Sequence, residues 1–114
     1  MLFISRTNFF VSYPDANRVM VFNNAGEYLH DIGRKGSDDG QFSCPIGLAI
    51  DKFNRLIVCD GGNRRLQLFT LDGKYIAQIA GRFFAGANPR HAVISNTEHL
   101  FVTDSRRHCV HVFH

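Results

Sequence analysis

"DGQFSCPIGLAIDKFNRLIVCDGGNRRLQLF", residues 39–69, is the most patterned stretch of this 114-residue chain, and weaker copies of it stand on both sides. Setting Phe22 on Phe69 lays residues 2–22, "LFISRTNFFVSYPDANRVMVF", over residues 49–69 at a constant offset of 47 with no gap. Setting Phe113 on Phe69 lays residues 88–113, "NPRHAVISNTEHLFVTDSRRHCVHVF", over residues 44–69 at an offset of 44, again ungapped. Three copies at such a period make an array, and arrays of this period are propellers or solenoids.

The pattern inside one copy separates those two options. An apolar run (46–50) is followed by a polar turn (51–54), a second run (56–59), another polar turn, the alternating "RLQLF", then "LDG" and "KYIAQIA". These are short strands broken by turn residues with no helical period, so one copy reads as one antiparallel four-stranded sheet. The "NAG" at 24–26 and the "LDG" at 71–73 supply the glycine that tight hairpins use at positive φ. Sheets set radially, with small residues near the axis (Gly47, Ala49, Ala92), make an all-β propeller. Burial on both faces accounts for "LIVC" and "LFV", which run apolar without alternating.

Composition agrees with a packed domain. At 45% apolar residues the chain can bury a core, and no run approaches the roughly 18 to 20 apolar residues that a spanning helix needs. The opening "MLFISRTNFFV" carries no small-residue cleavage pattern, so a cytoplasmic location is expected and no membrane association. Cys44, Cys59 and Cys109 are odd in number, form no CxxC pair and sit within or beside apolar runs, as buried free thiols do. The net charge of +3 is mild, so its placement matters more than its size.

The run "GQFSCPIGLAID..NRLIVCD..NRRLQLF..DGKYI" resembles the NHL repeat, whose pattern is GQF, then P.G.A.D, a strand ending in Asp, N.R.Q.F and a final D.G. The outer copies depart from it, with Tyr13 where Asp is expected, His91 and Ser95 in place of Gly47 and Asp51, and Cys109 in place of Arg65. The resemblance implies a propeller of usually six blades, of which this chain holds about half. Residues 1–33 are expected to form a blade lacking its leading loop, 34–81 a complete blade, and 82–114 a blade lacking its last outer strand. The rest of the ring is expected from the same longer chain, the alternative being closure by a second copy.

In such a blade, the second-to-third turn and the turn into the next blade lie on one face of the disc. Nine basic residues belong there (Arg18, Arg34, Lys35, Arg64, Arg65, Arg82, Arg90, Arg106, Arg107) against six acidic ones, a net +3. The opposite face has four basic residues (Arg6, Lys52, Arg55, Lys74) and four acidic ones, so one face carries the whole excess. A one-sided Arg-rich surface is the footprint of phosphate contacts, and Tyr13, Phe83, Phe84 and His108 lie near it to stack on unpaired bases. NHL propellers in TRIM-type ubiquitin ligases and related regulators bind RNA or protein on such a surface. The resemblance therefore implies a non-catalytic recognition module, with single-stranded or stem-loop RNA and protein as partners. A RING domain's paired cysteines and histidines are absent from these residues. Arg65 follows the repeat consensus and can instead bridge Asp60, as Arg106 or Arg107 can Asp104; Arg64, Arg82 and Arg107 are off-consensus and better binding candidates.

Other chemistries are expected to be absent. In "RRHCVHVFH" the strand alternation puts only Cys109 and His111 on one face, and two ligands do not make a metal site. No nucleophile elbow is present, and "GRKGSDDG" lacks the P-loop ending, so neither a catalytic residue nor a cofactor is assigned. Asp51, Asp60 and Asp104 are expected to cap their own turns. Two alternatives stand beside recognition. One is a metal-dependent NHL-like lyase, which needs inward histidines where the inner strands offer only His91. The other is an extracellular sensor propeller, against which stand the odd cysteine count and the lack of an Asn-x-Ser/Thr sequon.

Overall fold

The computed structural model describes residues 2–4 and 8–114, and it is built from eleven strands. The first sheet orders β1 (Leu2–Ile4), β2 (Asn8–Tyr13), β3 (Arg18–Asn23) and β4 (Tyr28–Ile32) from edge to edge. The second repeats the meander with β5 (Pro45–Ile50), β6 (Arg55–Asp60), β7 (Arg65–Thr70) and β8 (Tyr75–Ile79). The third has β9 (Pro89–Ile94), β10 (Leu100–Asp104) and β11 (Cys109–Phe113). Every pairing within the sheets is antiparallel, as short connections between sequential strands require. Gly26 (φ 83°) and Gly73 (φ 99°) close the third-to-fourth hairpins in the left-handed region as expected.

The turns repeat as the strands do. Asn17, Arg64 and His108 stand at matching places in the three copies and all adopt φ near 55° (55°, 54° and 53°). Among the described residues no helix is long and apolar enough to cross a membrane.

Two apolar layers hold the three sheets face to face. Between the first and second lie Phe10, Val19, Val21 and Ile32 against Leu48, Leu56, Val58 and Phe69, with Phe42 inserted from the connecting loop. Between the second and third lie Ala49, Ile57, Cys59, Leu66 and Leu68 against Ala92 and Val102, with Phe84 and Ala87 from the next loop. The second sheet is thus covered on both sides, and β6 is buried from Leu56 through Asp60. Among the described residues the third is covered on one, so the continuous burial expected for "LFV" is not seen at Phe101, which is 38% exposed. Val93, Val110 and Val112 face the same way and are exposed too.

The expectation that all three cysteines are buried also needs correcting. Only Cys59 is; Cys44 lies in the loop entering β5, and Cys109 opens β11 at the sheet end, both exposed. Burial pushes the Cys59 thiol up to about 12, which leaves almost no thiolate at neutral pH. Two thiols per chain should therefore react quickly with a disulfide reagent at mildly alkaline pH, and the third only after denaturation. Three fast thiols would mean that the junction of the second and third sheets opens freely.

Candidate nucleic-acid interface

The repeat signature has a structural role at the second sheet. Asp60, fully buried at the end of β6, accepts from the Ser43 amide (2.8 Å), Asn63 Nδ2 (2.9 Å), Arg65 Nε (2.9 Å) and Gln67 Nε2 (3.3 Å). It does not cap the backbone of its own turn, contrary to expectation; the one donor from that turn is the Asn63 side chain, and the others come from the loop of residues 33–44 and from β7. Arg65 spends its other nitrogens on the carbonyls of Ser37 (3.1 Å), Asp38 (2.9 Å) and Gln41 (2.8 Å). Gln67 clasps the same loop from both ends of its amide, donating to the Gln41 carbonyl (2.8 Å) and accepting from the Gly40 amide (2.9 Å). Phe42 is then held against Phe69, ring centroids 5.4 Å apart. Burial pushes the Asp60 carboxyl above its usual range, against the pull of the Ser43 amide, Asn63 and Arg65.

Arg65 consequently leaves the set of candidate binding residues: it is buried and its donors are consumed. Phe84 leaves it as well, since it fills the core between the second and third sheets. Asp51 does cap its own turn, accepting from the Phe53 and Arg55 amides (2.9 Å each). Asp104 caps its own through the Arg106 and Arg107 amides (3.2 and 3.1 Å) and also ties down the Asn88 amide (3.0 Å). Burial works against ionisation of Asp104, but the Asn88 amide, His111 and the Arg107 amide outweigh it and hold the carboxyl down at about 2.

The remaining basic residues divide into two groups. Where the second and third sheets meet, the turn of Gly61, Gly62 and Arg64, the start of β9 with Arg90, and Arg106 after β10 surround a cleft of about 470 Å³ that also takes in Cys44 and Asn88. Arg64 donates to the Ala87 carbonyl (2.9 Å) and so stands between this cleft and a second one of about 330 Å³, which Arg82 lines. Gly62 is required here: a Cβ on it would meet the Ser43 backbone oxygen at 2.5 Å. Arg90 and Arg106 are exposed, and among the described residues no hydrogen bond or ion pair engages their guanidinium groups.

The second group lines neither cleft. Arg18 is paired with Asp31 (2.8 Å). Tyr13, Arg34 and Lys35 are exposed on the side of the first sheet and its following loop. Arg107 lies 3.9 Å from Asp104, donates to the Phe83 carbonyl (3.4 Å) and stacks its charge on the Phe83 ring. His108 is exposed beside it, and Arg6 lies outside the described residues. Setting aside the Arg65–Asp60 pair leaves eight basic against five acidic residues, so this face keeps its net +3. Sequence reasoning puts Arg90 on the face without singling it out for binding, and it passes over Cys44 and Asn88. Their common signal is position, at or beside the first residue of an inner strand.

The family described as 6-bladed beta-propeller matches residues 3–93, and the NHL repeat matches residues 87–113. The chain is similar to protein lin-41 of Caenorhabditis elegans (40% identical over 47 residues, 41% of this chain and 4% of that one). It is similar to protein brain tumor of Drosophila melanogaster (32% over 91 residues, 75% and 9%) and to human E3 ubiquitin-protein ligase TRIM32 (39% over 46 residues, 40% and 7%). The chain thus spans less than a tenth of each of these relatives. Among solved structures it superposes on a Bacteroides fragilis protein (TM-score 0.77, 15% identical, 90% of this chain and 28% of that one). It also superposes on virginiamycin B lyase from Staphylococcus aureus (TM-score 0.70, 15% identical, 98% and 39%), a likeness of fold alone. With three meandering sheets packed face to face, a signature that locks loop to sheet, and a family match over residues 3–93, the chain belongs to the six-bladed β-propeller family, its last blade matching the NHL repeat.

Proposed function

We propose that this segment is a non-catalytic recognition module that binds single-stranded RNA in the arginine-lined cleft between its second and third sheets. The observation that carries the reading is the convergence of Arg64, Arg90 and Arg106 on one cleft that Gly61 and Gly62 also line. Glycine lets a phosphate approach the chain closely, and guanidinium groups meet its oxygens in a forked geometry that lysine cannot supply. Phe83, 45% exposed beside Arg107, offers a flat apolar face of the kind on which an unpaired base stacks. RNA- or protein-binding propellers among NHL proteins support the same class of function, and ligase chemistry would belong to other domains of a longer protein. The three free cysteines favour the cytoplasm as the place of work.

Arg90→Ala/Arg106→Ala is the informative variant, since neither guanidinium holds the fold. Binding of a fluorescent single-stranded RNA pool, followed across a salt titration, should weaken steeply with salt in the parent. The double variant should flatten the log–log slope by about 1.4, at roughly 0.7 for each single-strand phosphate that is no longer neutralised. Absence of binding at low salt, or a slope that the variant leaves unchanged, would discard the RNA reading in favour of a protein partner.

A further inference from the structure

At the third sheet the positions of Asp60, Arg65 and Gln67 are taken by Asp104, Cys109 and His111. The aspartate is kept and fully buried, but the guanidinium that neutralises it in the second sheet is gone. His111 Nε2 lies 2.9 Å from Asp104 Oδ2, and Cys109 Sγ lies 3.6 Å from the same nitrogen. All three donor atoms fall within 4.8 Å of one another. Alternation along β11 explains why Cys109 and His111 share a face; the third donor comes from the neighbouring strand β10, at the Asp104–Cys109 pair of the register, which no reading of β11 alone could supply.

We propose that Asp104, Cys109 and His111 form a site for a zinc-class divalent cation, which takes the place of the missing guanidinium. A thiolate, an imidazole and a carboxylate are the mixed donor set that this class of ion accepts, and tetrahedral bonds of about 2.0 to 2.3 Å separate ligand atoms by roughly 3.3 to 3.8 Å. The sulfur-to-nitrogen distance already lies in that range, and the nitrogen-to-oxygen pair opens by about half an ångström when the proton between them departs. Binding displaces that proton and the thiol proton, and solvent supplies the fourth ligand on the side where Cys109 is exposed. The ring is already aimed: Phe83 and Phe84 pack edge-on against His111 at centroid distances of 4.8 and 5.6 Å. Asp104 Oδ1 is occupied by three backbone amides, which orients Oδ2 toward the site. Arg107, 3.9 Å from Oδ2 and 41% exposed, is the one competing cation among the described residues and swings outward when the ion enters.

The test is titration of the full chain with Co²⁺ and Zn²⁺ under a phosphine reductant. One equivalent of Co²⁺ should produce a thiolate-to-cobalt charge-transfer band that Zn²⁺ abolishes, and Zn²⁺ should raise the Tm. Cys109→Ser should remove the band and weaken Zn²⁺ binding beyond the ~10- to 100-fold that outer-sphere changes produce. Cys109→Arg/His111→Gln restores the residues of the second sheet, so it should keep the circular dichroism of the parent while binding no metal. A parent chain without the band, or a band that survives in Cys109→Ser or disappears in Cys44→Ser, overturns the proposal.

Discussion

Asp60→Ala is expected to destabilise the fold by about 3 to 5 kcal/mol, roughly a fifth or more of the ~5 to 15 kcal/mol that a domain has to lose. Asp60 is one of the most heavily partnered side chains here, with donors from three places in the chain: the Ser43 amide, Asn63, and Arg65 with Gln67. Truncation leaves the Arg65 guanidinium buried with no counter-charge and strips the Ser43 amide of its acceptor, and each orphaned group costs its desolvation in full. The pair itself is not the source of stability. Burial already pushes the Asp60 carboxyl upward, the sign of a charge held at a desolvation cost, so what the pair secures is a single position for the loop of residues 33–44. A double-mutant cycle with Arg65→Met separates these effects. Asp60→Ala should cost less, by at least about 1 kcal/mol, once the arginine is gone, since no buried cation is then left unpaired. Chemical denaturation measures both. Additive losses, or a single-variant loss below about 1 kcal/mol, would remove Asp60 from the centre of this network.

The strands and their grouping are legible in the sequence because a meander is local: each strand pairs with the next, and alternation, turn glycines and the repeat offset all report that pairing. What lies beyond reach comes from contacts between a loop and a sheet that the repeat period does not encode. Phe84 has no counterpart at a constant offset, since the connection of residues 80–88 is shorter than that of residues 33–44; only the packed structure shows it against the Phe83 ring and in the core with Leu66 and Leu68. The arginines divide for the same reason. Arg64 and Arg65 are neighbours in sequence, yet β7 begins between them, so Arg64 lines both clefts while Arg65, at the edge of the second alone, spends its guanidinium on the loop of residues 33–44. The turn-capping role of Asp104 is legible from its position, but its second oxygen faces the next strand, where the side chain opposite decides whether the site holds a salt bridge or something else.

Gly47→Val should be nearly as damaging as the loss of Asp60, at about 3 kcal/mol, the upper end of what overpacking costs. The reason is backbone against backbone. A Cβ on Gly47 would stand 2.4 Å from the Arg90 carbonyl oxygen, 2.7 Å from the His91 Cα and 2.8 Å from the Cys59 sulfur. None of these is the free end of a flexible side chain, so the inner strands β5 and β9 must separate to admit the new methyl groups. Separation strips apolar contact from the layer of Ile57, Cys59, Leu66 and Leu68, and it widens the cleft that Ile46 and Arg90 line directly beside Gly47. RNA affinity and stability should then fall together, whereas Arg90→Ala/Arg106→Ala lowers affinity alone. The third copy supplies the control. His91 occupies the matching position on β9 and is exposed, because no sheet covers that side of β9 among the described residues. His91→Val should therefore change stability by no more than about 0.5 kcal/mol, as surface substitutions generally do. Thermal and chemical unfolding of the two valine variants decide the matter. Equal effects would show that the close approach of β5 to β9 is not what bars a side chain at residue 47; a large difference assigns the glycine of the repeat signature to the contact between neighbouring blades.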